Sequence, residues 1–141
     1  MIHAKAMCVV THNGNILATK GFDEVKNLSF YRLIGGGVHF CEFSEDALKR
    51  EVREELETEL ENITFLQAKE NVFTYMGKPG HEIVFLFSAD LARKELYEKE
   101  SIPIADSPSF IAVWVPISDV VSGSVQLFPS IDYSPFLKAS K

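Results

Sequence analysis

Cysteine is scarce in this sequence, with only Cys8 and Cys41 in a chain of 141 residues. Two thiols are too few for a disulfide scaffold and suit a reducing compartment. Clusters of lysine and arginine are missing, and the formal net charge is −6. No nucleic-acid partner gripped by bulk electrostatics is therefore expected. No apolar run approaches the roughly 20 residues needed to cross a bilayer, so no membrane partner is expected. The opening MIHAKAMCVVTHNG has no basic segment leading into a sustained apolar stretch and a small-residue cleavage site. A signal peptide is not expected, and the expected location is cytoplasmic. Internal repeats, low-complexity tracts and interdomain linkers are missing as well, which makes residues 1–141 a single expected domain.

What is present is an ordinary globular composition, 46% hydrophobic and 24% charged, enough for one real core. Residues 6–11 and 16–19 are apolar and β-rich, and Asn13-Gly14 between them predicts a hairpin, because both residues tolerate positive φ. Residues 22–29 are polar and predict a connection; residues 30–34 predict a strand that runs into Gly35, Gly36 and Gly37. Further strands are expected at 63–69, 71–75, 81–89 and 110–115, with a turn over 76–80 and a surface loop over 92–109. Ser118 is placed to cap a short helix, and residues 134–139 are placed to form another. Several strands around one strong helix give a mixed α+β domain.

That helix is the most informative stretch. Ser44 predicts its N-cap, with Glu45 and Asp46 in the first turn, where the helix dipole favours negative charge. Leu48, Val52 and Leu56 recur every fourth residue and predict the buried stripe. Beside it, Glu51, Glu54 and Glu55 fall within about a third of the helix circumference. Arg50 is in i,i+4 reach of Glu54, and Arg53 of Glu57. A carboxylate-rich helix face ordinarily points into water and pairs along itself. Here a glycine turn precedes it, and glycines let backbone approach a metal or phosphate closely. Clustered oxygens beside such a turn suit a hard cation, which takes a few carboxylates together with water and substrate phosphate. Crowding would also hold one carboxyl's pKa up, as a general base requires.

The segment resembles the Nudix box, G-x5-E-x7-R-E-U-x-E-E-x-G-U with U aliphatic. Gly36, Glu42, Arg50, Glu51, Val52, Glu54 and Glu55 stand at the matching positions. Glu57 and Thr58 replace the final glycine and aliphatic residue. Without that glycine the helix is expected to continue toward Leu60 or Glu61. Cys41 stands where members often have another glycine, either as a reactive thiol or as inert packing.

The resemblance implies an α/β/α sandwich with a mixed sheet and a catalytic loop-helix. It also implies a hydrolase cleaving the pyrophosphate of a nucleoside diphosphate linked to another moiety, such as a nucleotide sugar, ADP-ribose, a (d)NTP or a dinucleoside polyphosphate. A silent nucleotide-sensing or protein-binding module is the other reading. The cofactor implied is Mg²⁺ or Mn²⁺, held by Glu51, Glu54 and Glu55 with help from the Gly35 carbonyl. Arg50 would brace these glutamates, and Glu42 would support them.

Family members often add an acid from outside the box; Glu82 is the first candidate here and Asp90 the second. His39 is a candidate phosphate contact and His81 a turn or hydrogen-bonding residue. Phe73, Tyr75, Trp114 and Phe128 are candidate stacking surfaces, without a choice among them. The expected partner is a nucleotide-like small molecule, and a homodimer is compatible with the family.

Overall fold

The computed structural model describes residues 1–139. Strand β1 (His3–Val9) and the short β2 (Thr11–His12) lead through Asn13 and Gly14 into β3 (Asn15–Asp23). Both turn residues have positive φ, 49° and 79°, as the Asn-Gly pair requires. Strand β4 (Leu28–Gly37) follows and carries all three glycines. Helix α1 spans Ser44–Leu56, and a hairpin of two long strands comes next, β5 (Leu60–Tyr75) and β6 (Lys78–Leu91). A 3₁₀ turn at Lys94–Glu98 precedes β7 (Ser101–Pro103) and β8 (Ile111–Pro116). Helix α2 (Ile117–Ser122), β9 (Leu127–Phe128) and α3 (Pro135–Ala139) complete the described chain.

The sheet runs β5-β6-β1-β4-β3-β8-β7, with β2 beside β3 and β9 beside β4. Pairings are antiparallel except β1 with β6 and β4 with β9, so the sheet is mixed. Its two faces bury separate cores. Ala47, Leu48, Val52 and Leu56 of α1 pack on one, against Ala6, Cys8, Ile34 and Phe87. Met7, Val9, Leu33, Val84 and Leu86 fill the other, together with Ile117 and Tyr133 from the C-terminal segment. The expected α+β sandwich is thus present, with the acidic helix fixed by its buried stripe. Emptying a stripe position such as Leu48 costs about 2–5 kcal/mol. Among the described residues no helix is long and apolar enough to cross a membrane.

Several boundaries differ from the sequence reading. Half of the polar stretch at 22–29 is strand, because β3 and β4 continue to a turn over Glu24–Asn27. Strand β5 is continuous where a break near Glu70 was expected; it is the sheet's edge, and apart from buried Asn71 its polar residues face water. The β5–β6 turn needs only Met76 and Gly77, both at positive φ. Pro79 lies in the strand and pairs with Thr74, at the end of β6 beyond its pairing with β1, where a missing N–H breaks no second ladder. Neither serine caps its helix: Phe43 and Pro116 occupy those positions without side-chain bonds, and Ser44 and Ser118 are already helical. Arg53 pairs with Glu59, at 2.7 Å, rather than with Glu57.

Candidate active site

The glycines at the end of β4 are required by what lies against them. Gly35 has φ of 145°, and a Cβ there would run into the Ala6 carbonyl oxygen of β1. A Cβ on Gly36 would collide with the Glu51 carboxylate. Only bare backbone lets α1 bring that carboxylate down onto the strand. The Gly35 N–H also acts on the Glu55 carboxyl, lowering its pKa against the effect of burial. The loop and the helix are therefore one unit, held in register by the Leu48, Val52 and Leu56 stripe.

Arg50 clamps the unit from the side. Its Nε and Nη2 bond both Glu42 oxygens at 2.9 and 3.0 Å, and Nη2 reaches the Gly37 carbonyl at 2.8 Å. Nη1 lies 3.6 Å from Glu51 and 3.5 Å from Glu54. Glu42 also accepts the His39 N–H at 3.0 Å. The Arg50 guanidinium holds the Glu42 carboxyl down to about 2, helped by that N–H. Glu42 raises the Arg50 pKa in return. The spacing of Glu42 and Arg50 is thus a bidentate bridge across the loop.

The remaining carboxylates are pushed the opposite way. Burial, followed by the charges of Glu51 and Asp106, raises Glu55 to about 8. Its Oε1 is buried with no hydrogen-bond partner. Glu51 is raised by burial, against Arg50, and further by Glu54 and Asp106, with Lys5 opposing. A buried oxygen without a donor costs roughly 1–3 kcal/mol, and more when charged. Two elevated carboxyls around it form a seat whose energetic deficit a cation would offset.

Among the described residues no three His, Cys, Asp or Glu side chains are gathered into a ready cage. Mg²⁺ asks for less, since it keeps several waters and binds through one or two carboxylates plus substrate phosphate. The donor set therefore fits that ion. Cys8 lies under the seat, fully buried, with its thiol pushed up to about 12 by burial and by Glu55. It is inert.

Residues outside this unit sort differently. Glu82 is buried and gives both oxygens to Arg32 at 2.9 Å, with Lys5 at 3.9 Å. Asp90 bonds the Asn62 amide at 2.8 Å, at the other end of β6. His39 contributes its backbone, and its ring stands 3.9 Å from Glu42. His81 bonds Glu70 at 3.1 Å, a hydrogen-bonding role as expected.

A cleft of about 610 Å³ opens between the β3–β4 and β5–β6 hairpin tips. Phe73, Tyr75 and Phe128 line it together with Phe30, Arg32 and Asn71. Trp114 does not; it stacks on Tyr97, ring centroids 5.6 Å apart, against the α1-side core.

Two acids escaped the sequence reading. Buried Asp23 accepts the N–H groups of Val25 and Lys26 in its own tip and of Met76 in the other, at 3.0 to 3.1 Å. Burial pushes its carboxyl upward, but these bonds outweigh that and hold it below its ordinary value. Lys26 adds a 2.7 Å bond to the Thr74 carbonyl, so the two tips are latched. Asp23 and Asn27, with three residues between them, suit a turn, but nothing in the sequence marks the partner strand. Asp106 lies in the loop after β7, which docks on α1 through the Ala105 N–H to the Glu55 carbonyl at 2.8 Å. No local pattern distinguished it from other loop acids.

Comparison with known proteins agrees with this geometry. A family model described as the NUDIX domain matches residues 1–134. The chain belongs to the Nudix family. Its membership carries the assignment as a Nudix pyrophosphohydrolase. The fold is similar to a MutT NUDIX hydrolase from Burkholderia pseudomallei, with TM-score 0.62 and 20% identity over 84% of this chain and 85% of that one. It is also similar to a NUDIX hydrolase from Nitrosomonas europaea, with TM-score 0.63 and 16% identity over 92% and 82%. A MutT structure from work on Aliivibrio salmonicida and Vibrio cholerae matches with TM-score 0.61 and 18% identity over 99% and 96%. No curated protein matches the sequence significantly.

The two departures from the Nudix glycine pattern leave the backbone unchanged in kind. Helix α1 ends at Leu56, and Glu57 itself takes the left-handed C-cap conformation, φ 55° and ψ 42°, with its N–H on the Arg53 carbonyl. The expected extra turn toward Leu60 does not form, because β5 already begins there. Cys41 likewise has φ of 66° and is exposed, so it is not part of the packed core. Both positions adopt a glycine-like conformation with a side chain attached.

Proposed function

We propose that this Nudix chain is a divalent-metal-dependent hydrolase of a nucleoside diphosphate linked to another moiety, with water attacking phosphorus. The observation that carries the reading is the Glu55 carboxyl, elevated to about 8 with its Oε1 unbonded beside Glu51. Glu51, Glu54 and Glu55, with the Gly35 carbonyl, would hold Mg²⁺ or Mn²⁺. A bound ion would neutralise pyrophosphate charge and acidify a water for attack near neutral pH. Arg50 acts as a positioning residue, fixing Glu51 and Glu54 against Glu42 and the Gly37 carbonyl.

The further acid in this reading is Asp106 rather than Glu82 or Asp90. Asp106 acts electrostatically on both Glu51 and Glu55, whereas Glu82 commits both oxygens to Arg32 and holds that guanidinium at the cleft. A silent sensing module would be favoured by a missing box carboxylate, and all are present.

Glu54→Gln tests the assignment. Turnover should be abolished with the fold retained, and full activity would sink it. A phosphate-release panel with Mg²⁺ across nucleotide sugars, ADP-ribose, (d)NTPs and dinucleoside polyphosphates, read by saturation kinetics, separates the substrate classes.

A further inference from the structure

The wall of the cleft between the hairpin tips contains a mostly buried polar side chain that no other described residue engages. Asn71 of β5 is 8% exposed and lines the cleft. Its side-chain amide makes no hydrogen bond to any described residue, although its neighbours Arg32, Asp23 and Lys26 are all committed. The amide is open to the cleft rather than sealed in the core, so a ligand seated there can take the hydrogen bonds that the protein leaves free.

The direction of the side chain follows from register. Asn71 pairs with Glu82 across the β5–β6 ladder, so the two project from the same face. Glu82 bonds Arg32, itself a lining residue, which fixes that face as the cleft side. Phe73 and Tyr75 follow Asn71 at two-residue steps along the same strand. Phe30 meets Tyr75 and Phe128 edge-on, with ring centroids 5.7 and 5.8 Å apart. The wall therefore offers aromatic surface with the Asn71 amide among the rings.

We propose that Asn71 reads the hydrogen-bonding edge of a nucleobase seated among these aromatic rings, which makes it a specificity-determining residue. An amide presents one acceptor and a pair of donors side by side. That set matches a base edge with an adjacent donor and acceptor, such as the N6 amine and ring nitrogen of adenine. Aromatic faces supply stacking that any base can use, so discrimination falls to the amide. The proposal rests on the nucleotide-hydrolase reading for its choice of ligand, and its test is separable from that reading.

The test is binding of the four nucleoside monophosphates (adenosine, guanosine, cytidine and uridine) to the whole chain in EDTA, by calorimetry and by the Asn71 side-chain amide NMR signal. Wild type should prefer one base, and that base should shift the amide resonance. Asn71→Ala should weaken the preferred base by about 10- to 100-fold and flatten the preference. Asn71→Asp keeps the size but offers acceptors only, so preference should move to guanosine, whose N1 and N2 both donate. Circular dichroism confirms that each variant is folded. Equal affinity of wild type for all four bases, no binding at millimolar concentration, or Asp and Ala variants with unchanged preference would overturn the proposal. A base-selective cleft in a protein inactive across the hydrolysis panel would uphold Asn71 and reject the hydrolase reading instead.

Discussion

The loop-helix unit from Gly35 to Leu56 and the cleft between the hairpin tips are the two working regions of this molecule, and they are built on different principles. The first is local. Gly36, Glu42, Arg50 and Glu51 lie within one continuous segment, and their contacts close loops of a few residues up to about four helical turns. The second is assembled from β3, β4, β5, β6 and β9, and its latch joins Asp23 to Met76, 53 residues apart. In the proposed reading, chemistry that must be held rigid would rest on the local unit, and selection of the substrate would fall to surfaces that the fold brings together.

The sharpest way to break the local unit is to fill the space that Gly36 leaves for Glu51. Gly36→Ala puts a Cβ into that carboxylate, whereas Gly37→Ala meets nothing within 4 Å. Displacing a reacting group by about an ångström can cost on the order of 100-fold in rate. Gly36→Ala should therefore lose about 100-fold or more in kcat, with Gly37→Ala remaining within a few-fold of wild type. Steady-state kinetics with Mg²⁺ on both variants checks this. Equal rates would show that the Glu51 approach to the strand has no catalytic consequence.

A second effect tests the local unit by pH. Glu55 has a folded pKa of about 8, above its ordinary 4.5, so the native state holds this proton longer than the unfolded chain. Stability without metal should accordingly be greatest below pH 4.5 as far as Glu55 is concerned, and should fall as pH rises through about 8, by up to a few kcal/mol. Urea unfolding in EDTA from pH 5 to 8 reads the slope. Glu55→Gln should remove most of it, and Mg²⁺ should flatten it by favouring the ionised carboxylate. Glu42 and Asp23 are shifted the other way, so their contributions are present at neutral pH and are lost only in acid.

The cleft has its own breaking point. Asp23→Ala removes the acceptor that ties Met76 to the β3–β4 tip. The tips should separate while the distant loop-helix stays intact, so KM should rise more than kcat falls. A drop confined to kcat would mean that the latch serves the acids and not the cleft.

The same division explains what the sequence revealed. Box spacing singled out Gly36, Glu42, Arg50 and the glutamates: separations of three and four become neighbours along α1, and the loop before the helix brings Glu42 back onto Arg50. It reached Phe73, Tyr75 and Phe128 only as members of a list that also held Trp114, because no local period says which aromatic lines a cleft. Asp23 and Asp106 derive their roles from partners on other elements, and Asn71 from the cleft that other elements close around it; in sequence they are ordinary turn, loop and strand residues. Glu82 stood out as a carboxylate in an apolar strand, yet its partner Arg32 lay 50 residues away and unseen.

Helix termination is the subtlest case, because the sequence rule and the backbone disagree. A missing glycine at position 57 argued for a longer helix, but β5 begins at Leu60 and leaves no room for another turn. Glu57 accepts the left-handed conformation instead, at φ 55°. For a residue with a Cβ that conformation costs roughly 1–2 kcal/mol, of which glycine's greater freedom in the unfolded chain returns a part. Glu57→Gly should therefore stabilise the protein by about 1 kcal/mol, raising Tm by about 2–5 °C. The Glu57 carboxylate makes no bond to a described residue, so kcat should be unchanged. Thermal unfolding alongside a rate measurement decides it. A lower Tm would mean that the glutamate contributes more through its charge at this cap than its backbone loses.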